Sequence, residues 1–124
     1  LHTMVSAGKP FVIDFQDLNM GPIGIDLASI LYEHSFEYPK TLIDNLLEIH
    51  VKDNGLNASS TELKDMIMHA LAHRSMRIVG TFNNYFKEGK LLNRKLDLDK
   101  FLKRIYLALS TLKKDEAKIV KKLL

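Results

Sequence analysis

The sequence predicts a mainly α-helical chain with one short β-hairpin at its N-terminus. Three observations predict it. Two short β-prone runs flank a Gly- and Pro-containing turn at the start. Beyond residue 22, apolar residues recur at helical rather than strand spacing. Capping and stop signals then divide that region into segments of ordinary helix length.

Each element has its own justification. In "HTMVSAGKPFVID", Thr3–Val5 and Phe11–Ile13 are strand-like, and "SAGKP" supplies Gly8 and Pro10 to the turn, giving a hairpin over 3–14. Residues 15–22 form a loop closed by Gly21-Pro22. Proline suits the first position of a helix, so "IGIDLASILYEH" is expected to be helical from about 23 to 34. A second helix follows Pro39, from about 40 to 54, and stops at Asn54-Gly55.

"SSTEL" opens the third helix, with Ser59 or Ser60 as cap and Glu62 at the capping-box position. It is expected to run to Lys87, ended by Gly89. Leu63, Ile67, Leu71, Ile78, Phe82 and Tyr85 mark its apolar face, with Met66 and Ala70 beside them. After a loop over 90–97, a fourth helix from about 98 to 112 carries Leu98, Phe101, Leu102, Ile105, Leu109 and Leu112 on one side. "KKDEAKIVKKLL" is a final Lys-rich helix or tail. The bundle over 23–124 joins the hairpin and loop in one partial domain, because two strands alone make a marginal sheet that needs a further partner.

Composition narrows the function classes. At 124 residues the length fits one domain. Cysteine is absent, which excludes disulfides and thiolate metal sites and agrees with a cytoplasmic location. Apolar runs stay well short of the ~18 residues of a membrane span. Charge is uneven: residues 1–62 hold three Lys and nine acids, residues 63–124 hold fifteen Lys or Arg and six acids. The tail "KKDEAKIVKK" lacks interleaved aromatics and is interrupted by Asp115 and Glu116, so it reads as a solvated face rather than a nucleic-acid or membrane surface.

Two aspartates stand out. Asp14 follows a strand-like run, and Asp26 sits in the first turn of a helix, where a negative charge is favoured by ~0.3–1 kcal/mol. Asp17, three residues after Asp14, is either a further carboxylate near a metal or a loop residue bonding its own backbone. His69 and His73 have the i, i+4 spacing of two metal ligands. With no Glu after His69 and no third ligand evident, they read as one half-buried and one surface histidine. Arg74 falls between Leu71 and Ile78 on the apolar stripe. It needs either a partner, with Glu33 and Asp26 as candidates, or a head that reaches water.

Ile13-Asp14-Phe15-Gln16, Gly21-Pro22 and Asp26-Leu27-Ala28 together resemble the metal-binding segment of the aminoglycoside phosphotransferase and choline kinase superfamily. These are small-molecule kinases with a protein-kinase-like α+β fold. "HRSMRIVGTFNNYFKEGK" at 73–90 is similar to a helix of the bacterial anomeric sugar kinases that phosphorylate N-acetylmuramate and N-acetylglucosamine in cell-wall recycling. Where that branch carries Arg-Asp after its "DLASLL", this chain has Tyr32-Glu33.

The resemblance implies an ATP-dependent kinase that phosphorylates a hydroxyl of a sugar or amino-alcohol acceptor. In it Asp14 would bind Mg²⁺ and so the ATP phosphates. Asp26 would brace the catalytic loop, and Glu33 and Arg74 are candidates for acceptor contact. The family's catalytic loop, H-[GR]-D-x-x-x-x-N, would lie just before residue 1, as would the N-terminal lobe. The chain is therefore expected to be a C-terminal lobe fragment, inactive alone, whose partners are that lobe, a nucleotide and the acceptor, with neither nucleic acid nor membrane. Two rivals remain: a helical binding module without chemistry, and a degraded kinase remnant.

Overall fold

A computed structural model describes residues 2–13, 21–33 and 36–124. Strands β1 (His2–Ser6) and β2 (Lys9–Ile13) pair antiparallel, with Met4 opposite Phe11 and Val5 opposite Pro10. The turn is tighter than the sequence suggests. It consists of Ala7 and Gly8 alone, with φ of 50° and 73°. Positive φ at both positions matches the right-handed twist of the strands. Pro10 falls inside β2, which an edge strand tolerates because one row of its N–H positions has no ladder partner. Met4, Val5 and Phe11 of the hairpin are exposed.

Five α-helices follow: α1 (Gly24–Tyr32), α2 (Lys40–Asp53), α3 (Ser60–Lys87), α4 (Asp97–Thr111) and α5 (Ala117–Lys121). Helix α1 is shorter than expected and takes its first backbone bond from the Ile25 N–H to the Pro22 carbonyl, 3.1 Å. Helix α3 opens with the anticipated capping box. The Ser59 hydroxyl accepts from the Glu62 N–H at 3.1 Å, and Glu62 accepts from the Ser59 N–H at 2.8 Å. Helices α2 and α3 both end in a left-handed glycine, Gly55 and Gly89. The loop after α3 contains a single 3₁₀ turn, Leu92–Arg94, and the Lys-rich tail contains only the five-residue α5.

Helix α3 is the central element, packed against α1, α2 and α4, while α5 packs on α4. The largest fully buried side chains among the described residues all lie on it: Leu63, Ile67, Met68, Leu71 and Ser75. Ala28 and Leu31 from α1, Ile43 and Leu47 from α2, and Ile105, Ala108 and Leu109 from α4 complete the core. Contact on several sides widens the buried arc of α3 beyond the stripe read from sequence. Met68, Ala72 and Ser75 are buried, whereas Met66 and Tyr85 are exposed.

Close approach of α1 and α3 requires a glycine. A Cβ built on Gly24 would lie 2.5 Å from the backbone oxygen of Met66, so no larger residue fits without separating the helices. Among the described residues, no helix is long and apolar enough to cross a membrane.

Candidate functional site

The aspartate at the start of the motif, Asp14, lies outside the described residues, as do Gln16 and Asp17. The described backbone takes β2 to Ile13 and resumes at Gly21, three residues before α1. Asp26 stands in the first turn of α1, exposed, with no hydrogen bond or ion pair among the described residues.

Glu33 and Arg74 meet. The Arg74 guanidinium donates from Nε to Oε1 of Glu33 at 2.8 Å and from Nη2 to Oε2 at 3.0 Å. The Ser29 hydroxyl, one turn back on α1, donates to Oε2 at 3.1 Å. Both carboxylate oxygens are thus engaged. Glu33 is also the C-cap of α1, its N–H bonded to the Ser29 carbonyl. A carboxylate there opposes the partial negative charge of a helix C-terminus. The guanidinium offsets that conflict with a two-pronged, charge-assisted bond.

The Arg74 hydrogen bond holds the Glu33 carboxyl below the usual carboxylate range, against the upward push of burial. The charge of Arg74, the Ser29 bond and the charge of Arg104 act in the same downward direction. Arg74 is in turn pushed above its ordinary value by its bond to Glu33, with a smaller contribution from the charge of Asp26. Of the two partners anticipated for Arg74, Glu33 makes the contact and Asp26 acts only at a distance.

His69 and His73 are both exposed, so the expected half-buried histidine is absent from this pair. Among the described residues, no group of three or more His, Asp or Glu side chains is placed to hold a metal ion.

A cleft of about 910 Å³ opens at the Glu33 end of α1, between residues 36–38, the first turn of α2, and helices α3 and α4. Its apolar lining comes from the buried Leu31, Ile43 and Met68 and the exposed Leu107, with Tyr32 beside them. Burial, and then the nearby charge of Asp44, push the Tyr32 phenol above its ordinary value, so it stays neutral. Phe36 and Tyr38, in edge-to-face contact with centroids 5.0 Å apart, complete the aromatic side.

The rest of the lining is cationic: Lys40, Lys64, Lys100, Lys103 and Arg104, against Glu33 and Glu37. Lys64 is paired with Asp44 at 2.5 Å and Lys100 with Asp97 at 3.2 Å. Arg104 stacks over the Phe101 ring, 5.1 Å from its centroid. Sequence reading missed this cluster. The excess of base in the second half of the chain was visible, but these five cations come from three helices. Their convergence depends on how the helices pack.

No family model matches this chain, and neither a curated protein nor a solved structure matches it significantly.

Proposed function

We propose that the chain is the C-terminal lobe portion of an ATP-dependent small-molecule phosphotransferase of the aminoglycoside phosphotransferase and choline kinase type. The observation that carries this reading is the order of motif and elements: a β-hairpin, then Ile13-Asp14-Phe15-Gln16, then Gly21-Pro22, then a helix with Asp26 in its first turn. Asp26 is exposed and makes no hydrogen bond or ion pair among the described residues, which supports a bracing role toward backbone outside this chain.

In this reading an acceptor hydroxyl attacks the γ-phosphorus of ATP, the bond to the β–γ bridging oxygen breaks, and ADP leaves. The hydroxyl proton passes to the aspartate of a catalytic loop that this chain does not contain. Mg²⁺, when bound, neutralises phosphate charge. Asp14 is the residue of this chain that would hold it, since one or two protein carboxylates suffice for such an ion. The Glu33–Arg74 pair joins α1 to α3 beside the acceptor, and Arg74 keeps donors beyond the two that Glu33 uses. The acceptor is a sugar or amino alcohol.

The test is transfer of labelled γ-phosphate from Mg-ATP to a panel of amino sugars, N-acetylated sugars and amino alcohols. The protein should be made from the full reading frame that encodes this chain. Transfer to at least one acceptor, lowered on the order of a hundredfold or more by Asp14→Ala, is the expected result. Absence of transfer together with absence of Mg-ATP binding would overturn the reading and leave a helical binding module.

A further inference from the structure

The cleft at the C-terminal end of α1 shares Glu33 with the acceptor side proposed above, but its cations and apolar lining take no part in the phosphoryl transfer just described. Asp26 lies near the opposite end of that nine-residue helix, and at 1.5 Å per residue α1 spans roughly 13 Å. From the lining we infer that this cleft is a binding site for a small organic phosphate. The inference stands without the phosphotransferase reading.

Three observations carry it. The first is charge. Five cations and two carboxylates line the cleft; Asp44 and Asp97 neutralise Lys64 and Lys100, which leaves Lys40, Lys103 and Arg104. Glu33 is already engaged on both oxygens by Arg74 and Ser29. Lys40, Lys103 and Arg104 make no ion pair among the described residues. Like charges converging in a concave, low-dielectric wall repel one another and focus a positive potential, which a compact dianion relieves.

The second is geometry. Arg104 is not a freely swinging cation, because its guanidinium is stacked on Phe101. A planar guanidinium so held presents its N–H donors in a fixed fork that suits phosphate oxygens. Lys103 neighbours it on α4, and Lys40 faces the same cleft from the start of α2. Pro39 gives α2 no side-chain cap and its first turn has no acid, and Asp44, one turn on, acts on Lys40 by charge alone while its carboxylate is bonded to Lys64.

The third is the apolar lining. A site for a bare ion needs no apolar base, and an acidic peptide or nucleic acid would track an open surface. Here the buried Leu31, Ile43 and Met68 give the lining an apolar part, joined by the more exposed Leu107 and by Tyr32. The volume falls within the range typical of small-molecule sites. That combination fits an organic body bearing a phosphate, with the body against the apolar lining and the phosphate among Lys40, Lys103 and Arg104.

Calorimetric titration of the chain with adenosine 5′-monophosphate and glucose 6-phosphate, each beside its neutral parent and beside inorganic phosphate alone, tests the inference. Binding of at least one phosphorylated probe, with its neutral parent much weaker, is expected. Lys40 and Lys103 are exposed, so their double substitution Lys40→Gln/Lys103→Gln leaves the fold intact. It should weaken binding about tenfold or more. Lys121→Gln/Lys122→Gln removes the same charge outside the cleft and should leave affinity unchanged. Equal weakening by both double variants, no binding of either probe at millimolar concentration, or preference for inorganic phosphate or an acidic polymer over the organic phosphates would each overturn it.

Discussion

Glu33 and Arg74, 41 residues apart in the chain, are joined by two hydrogen bonds that tie the C-terminal end of α1 to the middle of α3. The pair is partly buried, so removing one member leaves the other short of solvent and of partner. Glu33→Gln and Arg74→Gln are each expected to cost about 1–2 kcal/mol in urea denaturation. The double variant should cost less than the sum, because each single change already breaks the same contact.

The same pair sets a pH dependence. The folded Glu33 carboxyl lies below the usual carboxylate range, so folding favours its ionised form. Its contribution is complete above the unfolded value of ~4.3 and is lost as pH falls through the lower folded value. Denaturant midpoints should therefore decline from about pH 5 downward. Glu33→Gln should decline less over that window, and an identical decline in the two proteins would show that Glu33 contributes nothing to it.

Gly24 and Gly80 make opposite predictions for the same substitution. At Gly24 an added methyl meets the backbone of Met66, which cannot swing aside. Gly24→Ala should cost ~3 kcal/mol, at the upper end of overpacking penalties. Gly80 lies inside α3, and a methyl there meets nothing within 4 Å. Gly80→Ala should stabilise by about 0.5–1 kcal/mol through helix propensity. Thermal melts of the two variants should move in opposite directions.

These cases mark what was legible in the sequence. The limits of α3, Ser60–Lys87, follow from Ser59, Glu62 and Gly89, which act through neighbours a few residues away. The extents of the hairpin and α2 follow from equally local signals. An arginine on an apolar stripe demanded a partner, and Glu33 was among the two available. The demand for glycine at position 24, the burial of Met68 and Ser75, and the gathering of five cations were not legible. Each depends on which helices lie against α3, and local spacing does not encode that. The residue of greatest chemical interest, Asp14, rests on the motif alone.

Helix α4 ends less well than its neighbours. Lys113 adopts φ of 55° just past the C-cap, where its N–H bonds to the Ser110 carbonyl at 3.1 Å and the next N–H bonds to Leu109 at 2.9 Å. Gly55 and Gly89 close α2 and α3 with the same pair of bonds and no side-chain penalty. Lys113→Gly should therefore stabilise the chain by ~0.5–1 kcal/mol, less than the full left-handed cost because glycine also loosens the unfolded state. Gly89→Ala should have the opposite sign. An unchanged melt for both would mean that the cap conformation carries no strain.

Asp26 separates a structural role inside this chain from a role toward something beyond it. Inside the chain it has the favourable field of the α1 N-terminus and a longer-range attraction to Arg74, being exposed and unbonded among the described residues. Asp26→Asn should then change the stability of the isolated chain by no more than about 0.3–1 kcal/mol. If the aspartate braces a catalytic loop supplied by upstream sequence, the same substitution in the full reading frame should cut phosphoryl transfer far more than that small loss of stability allows. Denaturation of the chain and turnover of the protein made from the full reading frame, measured on the one variant, give the two numbers. A large loss of turnover beside a small loss of stability is the signature of a bracing residue, while small effects on both would return Asp26 to an ordinary first-turn acid.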